Sequence, residues 1–217
     1  MNSILTSKWI KVAVFLACLI PAGILISDVF TGGLGSNPTQ FLEHATGDWV
    51  LRFLAITLSI SPLRKVLRQP QLIRFRRMLG LFAFFYAFCH FCIYLGFDRV
   101  LDFGSVWADV VKRKYITVGF TGFVLMIPLA ITSTAGWIRR LGGKRWQLLH
   151  RLIYVSAVAG VIHFYWLVKS DVHVPVEYAA VMALLLGWRL YGWYTNPRRR
   201  TAVASLNRKE TTTAAVE

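Results

Sequence analysis

Residues 74–97 read RFRRMLGLFAFFYAFCHFCIYLGF, and this stretch decides the fold. Arg74, Arg76 and Arg77 open it, and residues 79–97 follow without a single Asp, Glu, Lys or Arg. As a helix those nineteen residues reach about 28 Å, close to the ~30 Å hydrocarbon thickness of a bilayer. The run ends at Asp98 and Arg99, where charge returns. A basic cluster, an apolar span and a polar exit are the pattern of a membrane helix with its basic end in the cytoplasm.

Five further apolar segments lie on either side, at residues 9–27, 49–63, 115–135, 146–168 and 174–194. The segment at 49–63 is short and carries Arg52, so it spans only if Arg52 snorkels to the interface or meets an anion. Lys8 and Lys11 stand at the start of the first segment, as they would in a signal peptide. It is longer than a usual signal core, contains Pro21 and lacks a clear small-x-small cleavage site, so it reads as a retained helix. The expected fold is all-α: a polytopic six-helix membrane bundle over residues 1–197, followed by a Thr- and Ala-rich tail, 198–217, expected to be disordered.

Composition agrees with lipid as the solvent. Hydrophobic residues make up 56% of the 217 and charged residues only 16%, against roughly 25% in a soluble domain. The net charge of +15 would suggest nucleic acid in a soluble protein, but here the basic residues fill short gaps between apolar runs. Counting along alternating loops puts eighteen Lys and Arg on one side and six on the other, with two acids on the first side and eight on the second. The basic excess marks the cytoplasmic face, so both termini are expected there, and that face suits anionic lipid. Cys18, Cys89 and Cys92 all fall in apolar runs, which excludes a disulfide framework. Cys89-His90-Phe91-Cys92 reads as small residues on one side of a membrane helix rather than as a redox or zinc pair.

Histidine carries the chemistry. His44 and His173 fall in outer loops and receive no role. His90, His150 and His163 fall on the third and fifth segments, and an ionisable side chain within a membrane helix is a functional candidate by default. His90 lies eight residues before Asp98 and His163 six before Lys169, so their depths differ by about 3 Å. Two imidazoles on facing helices can hold one haem iron from both sides, which leaves no open position for dioxygen and suits electron transfer. His150 lies thirteen residues before His163, about 20 Å nearer the cytoplasm and about 140° round a straight helix. Its counterpart depth on the third segment is near Arg77, so no second His–His pair can be built and a second haem would need another ligand. Arg74, Arg76 and Arg77 read either as a topology anchor or as a clamp for an oxyanion, and Arg52 is placed to meet a haem propionate. The glycines at 80, 119 and 122 are read as helix-packing residues.

No dinucleotide fingerprint, P-loop, H-E-x-x-H or G-x-S-x-G is present, and the spans are almost free of acids, which argues against an ion pump. The chain reads as an electron conduit that borrows its donor and its acceptor. A stand-alone ferric or quinone-linked reductase is the nearest alternative, and a non-haem transporter or scaffold a more distant one.

Several motifs carry a resemblance: Arg76-Arg77-Met78-Leu79-Gly80-Leu81, Tyr86-Ala87-Phe88-Cys89-His90, Leu129-Ala130-Ile131-Thr132-Ser133, Trp146-Gln147-Leu148-Leu149-His150-Arg151-Leu152-Ile153-Tyr154 and His163-Phe164. The chain resembles the ferric reductase-like transmembrane domain and, more closely, the family of haem-binding membrane subunits of bacterial periplasmic methionine-sulfoxide reductase systems. The resemblance implies one or two haem b groups with His90, His150 and His163 as ligands, and an associated FMN without assigned residues. It also implies an inner-membrane location, electrons from the quinone pool or a cytoplasmic flavin reductase, and a periplasmic molybdopterin partner that reduces methionine sulfoxide in oxidised proteins.

Overall fold

The structure is a computed structural model that describes residues 7–168 and 170–195. Lys169 and the tail expected to be disordered lie outside the described residues. The described chain is helical, with no strand. Helix α1 spans Lys8–Thr31, α2 Pro38–Val66 and α3 Ile73–Ile93, the last preceded by a 3-10 turn, Pro70–Leu72, and extended by a π-helical turn, Tyr94–Asp98. Then come α4 Phe103–Lys112, α5 Lys114–Ile131, α6 Ala135–Leu141, α7 Gly143–Leu149, α8 Leu152–Leu167 and α9 His173–Tyr194.

The helix ends follow local chemistry. The Ser7 hydroxyl accepts the Trp9 amide at the start of α1, and Gly32 closes that helix in the left-handed conformation (φ 76°), which costs glycine little. Asn37 caps α2 by accepting the Gln40 amide, and Pro38 follows in the first turn, where its missing N–H costs nothing. Gly142 (φ 72°) separates α6 from α7.

Five helical stretches are long and apolar enough to cross a membrane: Lys8–Thr31, Pro70–Asp98, Lys114–Ile131, Gly143–Leu167 and His173–Tyr194. Helix α2 is not among them by composition, yet its 29 residues extend about 43 Å. It contributes to the core, with Leu51, Leu54 and Leu58 at 3%, 1% and 0% exposure.

Side-chain contacts fix the directions. Gly47 meets His90 and Gly80 meets Thr57, so α2 and α3 are antiparallel. Gly119 meets His163 and Thr132 meets His150, so α5 and α8 are antiparallel. Tyr178 bonds Asp48 and Arg189 bonds Leu58, so α9 runs parallel to α2. Tyr86 reaches Cys18 while Arg74 reaches Ser7, so α1 runs parallel to α3. Phe84 meets Phe123 and Phe91 meets Phe120, so α3 and α5 are antiparallel as well, and successive long rods alternate in direction, with Tyr86, Leu54, Leu58, Ala83 and Ala157 at the centre. The outside is apolar: Leu16, Ile20, Phe88, Leu184 and Leu190 are all exposed. A soluble monomer does not tolerate such a surface; lipid does.

The fifth segment departs from a straight helix. Its chain tightens at His150 and Arg151, where Arg151 N bonds Leu148 O (3.1 Å) and Tyr154 N bonds Arg151 O (3.0 Å), three residues back in each case. That turn divides α7 from α8, so the rotation of His150 relative to His163 is not that of an ideal helix.

Candidate metal centre

His90 comes from the last turn of α3 and His163 from the C-terminal part of α8, just before its last turn. Their ring centres are 6.2 Å apart and their planes are inclined at 79°. A metal–imidazole nitrogen bond is ~2 Å, and each ring centre lies about 1 Å beyond its nitrogen. Two imidazoles on one metal therefore place their centres about 6 Å apart, which is the spacing observed.

The tautomers are set by the backbone. His90 Nδ1–H donates to the Glu43 carbonyl (3.0 Å), with the Thr46 hydroxyl oxygen 3.3 Å away. Thr46 itself donates to the Leu42 carbonyl (2.6 Å) and so faces the ring as an acceptor. His163 Nδ1–H donates to the Tyr115 carbonyl (2.7 Å). Each ring thus commits Nδ1 and keeps Nε2 as a lone-pair donor, the arrangement that orients imidazole ligands of a metal.

Both rings line a cavity of about 530 Å³ with an apolar wall that includes Phe91, Phe120, Phe123 and Met126, within the size range of cofactor sites. Glycine makes room for it. A Cβ at Gly119 would stand 2.5 Å from His163 Nδ1, and one at Gly47 3.4 Å from His90 Cε1. Among the described residues no group of three His, Cys, Asp or Glu could hold a bare ion. Two opposed imidazoles beside a large apolar cavity fit a metal that brings its own equatorial ligands, as haem does.

The other candidates are placed differently. Arg52 is not part of this cavity. It pairs with Asp48, donates Nε–H to Tyr178 Oη (3.3 Å) and lies over Trp49, on the wall of a neighbouring groove. The cations at the mouth of the His90–His163 cavity are Arg99 and Arg113. Arg99 pairs with Asp98 (2.9 Å) and Asp109 (2.7 Å), and its Nε is buried without a partner. Arg77 is exposed, whereas Arg76 is half-buried. His150 sits at the α7–α8 turn at the other end of the bundle. Thr132 spends its hydroxyl proton on the Pro128 carbonyl (2.6 Å), so its oxygen accepts His150 Nε2–H (3.2 Å). Trp146 stacks on the His150 ring at 3.9 Å and donates to the Thr132 carbonyl. His44 lines the cavity wall, and His173 pairs with Glu177 at the surface. Cys89 and Cys92 are free thiols.

Sequence reasoning missed Arg99, Arg113, Glu43 and Tyr115, which act through the folded segment between α3 and α5 and through backbone carbonyls. It also took Gly119 for a packing residue. The i,i+4 spacing of Asp48 and Arg52 was the visible sign that Arg52 had a partner of its own.

Residues 46–161 match the family described as "Ferric reductase like transmembrane component". A protein of Herminiimonas arsenicoxydans named "Protein-methionine-sulfoxide reductase heme-binding subunit MsrQ" is 49% identical over 197 residues, 90% of each chain. Proteins of the same name are 45% identical in Polaromonas naphthalenivorans (90% of this chain, 92% of the relative) and 49% in Xanthomonas campestris pv. campestris (88% and 89%). The chain belongs to the MsrQ family of ferric reductase-like transmembrane proteins.

Proposed function

We propose that the protein is the haem b electron-transfer subunit of a methionine-sulfoxide reductase system. The reading carries six spans, with α2 enclosed as the second, both termini in the cytoplasm, and a location in the bacterial inner membrane. The observation that supports it best is the His90–His163 pair, 6.2 Å apart with both Nδ1 atoms committed to carbonyls. His90 and His163 would hold the haem iron, and the glycines at 47 and 119 leave room for the two imidazoles. Bound there, haem supplies a reversible one-electron carrier.

The chain's own residues do the rest. Glu43 and Tyr115 hold the imidazole tautomers, while the phenylalanine wall excludes water and lowers the local dielectric. Arg99 and Arg113 stand where propionates would meet cations, the role the sequence had suggested for Arg52. His150 has one imidazole, a committed Nε2 and no imidazole opposite, so we assign one haem to the outer site and leave His150 without a bis-imidazole partner. The donor is the quinone pool or a cytoplasmic flavin reductase, and the acceptor is a periplasmic molybdopterin enzyme that reduces methionine sulfoxide. FMN accompanies the family assignment with no residues attached.

The test is stopped-flow spectroscopy of the purified protein in proteoliposomes. A quinol or a flavin reductase with NADH should reduce the chromophore, and adding the periplasmic reductase with methionine sulfoxide should reoxidise it. A chromophore that neither donor reduces, or that the partner leaves reduced, contradicts the conduit.

A further inference from the structure

The described Arg–carboxylate ion pairs of the bundle are confined to its outer end, where Asp48, Asp98 and Asp109 meet Arg52, Arg99 and Arg113. The inner end is different. No Asp or Glu occurs in residues 53–97, 114–170 or 178–209. Arg189, half-buried on α9, is pinned by neutral acceptors only: Tyr154 Oη (2.5 Å), the Leu58 carbonyl (2.9 Å) and the Ser61 hydroxyl (3.4 Å). Its Nε is buried and has no partner. Arg76, half-buried at the start of α3, lies one turn before Gly80, which packs on Thr57 of the antiparallel α2, so it stands level with Ser61, the residue that Arg189 bonds. Two cations thus share one end of a membrane bundle with no described counter-ion. Taking an ion out of water costs several kcal/mol unless a partner compensates, so the arrangement asks for an anion from outside.

We propose that Arg76 and Arg189, at the inner ends of α3 and α9, form an oxyanion site that takes a phosphate-bearing anionic ligand. Guanidinium forks match phosphate oxygens in a bidentate way. The anion closes the charge balance and adds an acceptor for the orphaned Nε–H. The same phosphate chemistry can come from a phospholipid headgroup or from a soluble phosphate. The site does not depend on the haem at His90 and His163, so either assignment can fail alone.

The test uses the full chain in phosphatidylcholine nanodiscs, with thermal unfolding and the mass spectrum of retained lipid as readouts. Adding phosphatidylglycerol, or separately inorganic phosphate, should raise the unfolding temperature of the wild type. Arg76→Gln, which leaves every bond of Arg189 in place, and Arg189→Lys should each weaken that ligand about tenfold or more, while Arg145→Gln, an exposed cation nearby, should not. Stabilisation and retention of phosphatidylglycerol alone identify a lipid headgroup; stabilisation by inorganic phosphate identifies a soluble phosphate. No stabilisation by either, or equal losses in all three variants, overturns the site.

Discussion

Gly119 decides where His163 can stand. A Cβ there would lie 2.5 Å from Nδ1 and 2.8 Å from Cγ of the imidazole, distances no packed side chain adopts. Gly119→Ala should therefore push the ring off the Tyr115 carbonyl. Loss of a group that orients a metal ligand lowers affinity about 10–100-fold, so the variant should purify with little haem while remaining folded by circular dichroism. Normal haem content in Gly119→Ala would show that the ring is held elsewhere. Legibility at this scale was uneven. His90 and His163 were visible because an imidazole in a membrane span needs a reason. The carbonyls of Glu43 and Tyr115 were invisible because a backbone acceptor leaves no trace in residue type. Arg99 was hidden because its loop turns through positive φ at Val100 and Leu101 (49° and 62°), which nothing in those two apolar residues announces.

Helix α1 contains a repair. Pro21 interrupts it, and Tyr86 from α3 inserts its hydroxyl into the ladder beside the proline. That hydroxyl donates to the Cys18 carbonyl (2.8 Å) and accepts the Ala22 amide (3.1 Å), spanning one rung. Side chains that enter the ladder are a recognised cause of helix bending, and in lipid no water can satisfy the freed groups. Tyr86→Phe should leave both backbone groups unpaired and cost about 1–3 kcal/mol, read as a lower midpoint in detergent-titration unfolding. An unchanged midpoint would mean that α1 restores the rung by itself. The six apolar segments were legible as helices from their length alone. Their detail was not: α2 begins well before residue 49, and its Asp48 and Arg52 are neutralised by each other and by Tyr178. The fifth segment breaks at His150–Arg151, where nothing in residue type announces it, because the tightening turn stays in the right-handed helical region.

Across the whole molecule, direction and charge agree. The rods alternate, the acids gather at the end that holds His90 and His163, and the arginines at 74, 76 and 189 lie at the other. In the proposed orientation the basic end faces the cytoplasm. A fluorescent protein fused after residue 195 should fold and fluoresce in the cytoplasm, and alkaline phosphatase inserted at 33–36 should be active in the periplasm; the reverse pattern would invert the topology. This asymmetry was readable from the chain, because counting Lys and Arg needs no coordinates. The convergence of His90 with His163 was readable only as equal depth; their facing geometry came from how α3 and α8 pack against α2 and α5. The central claim is that these two histidines share one haem, and the reduced-minus-oxidised spectrum of the purified protein, with haem quantified per chain, tests it most directly. The account predicts a low-spin b-type spectrum near one haem per chain, lost in His90→Ala and in His163→Ala and kept in His150→Ala. Haem that survives both outer substitutions but vanishes in His150→Ala would contradict it.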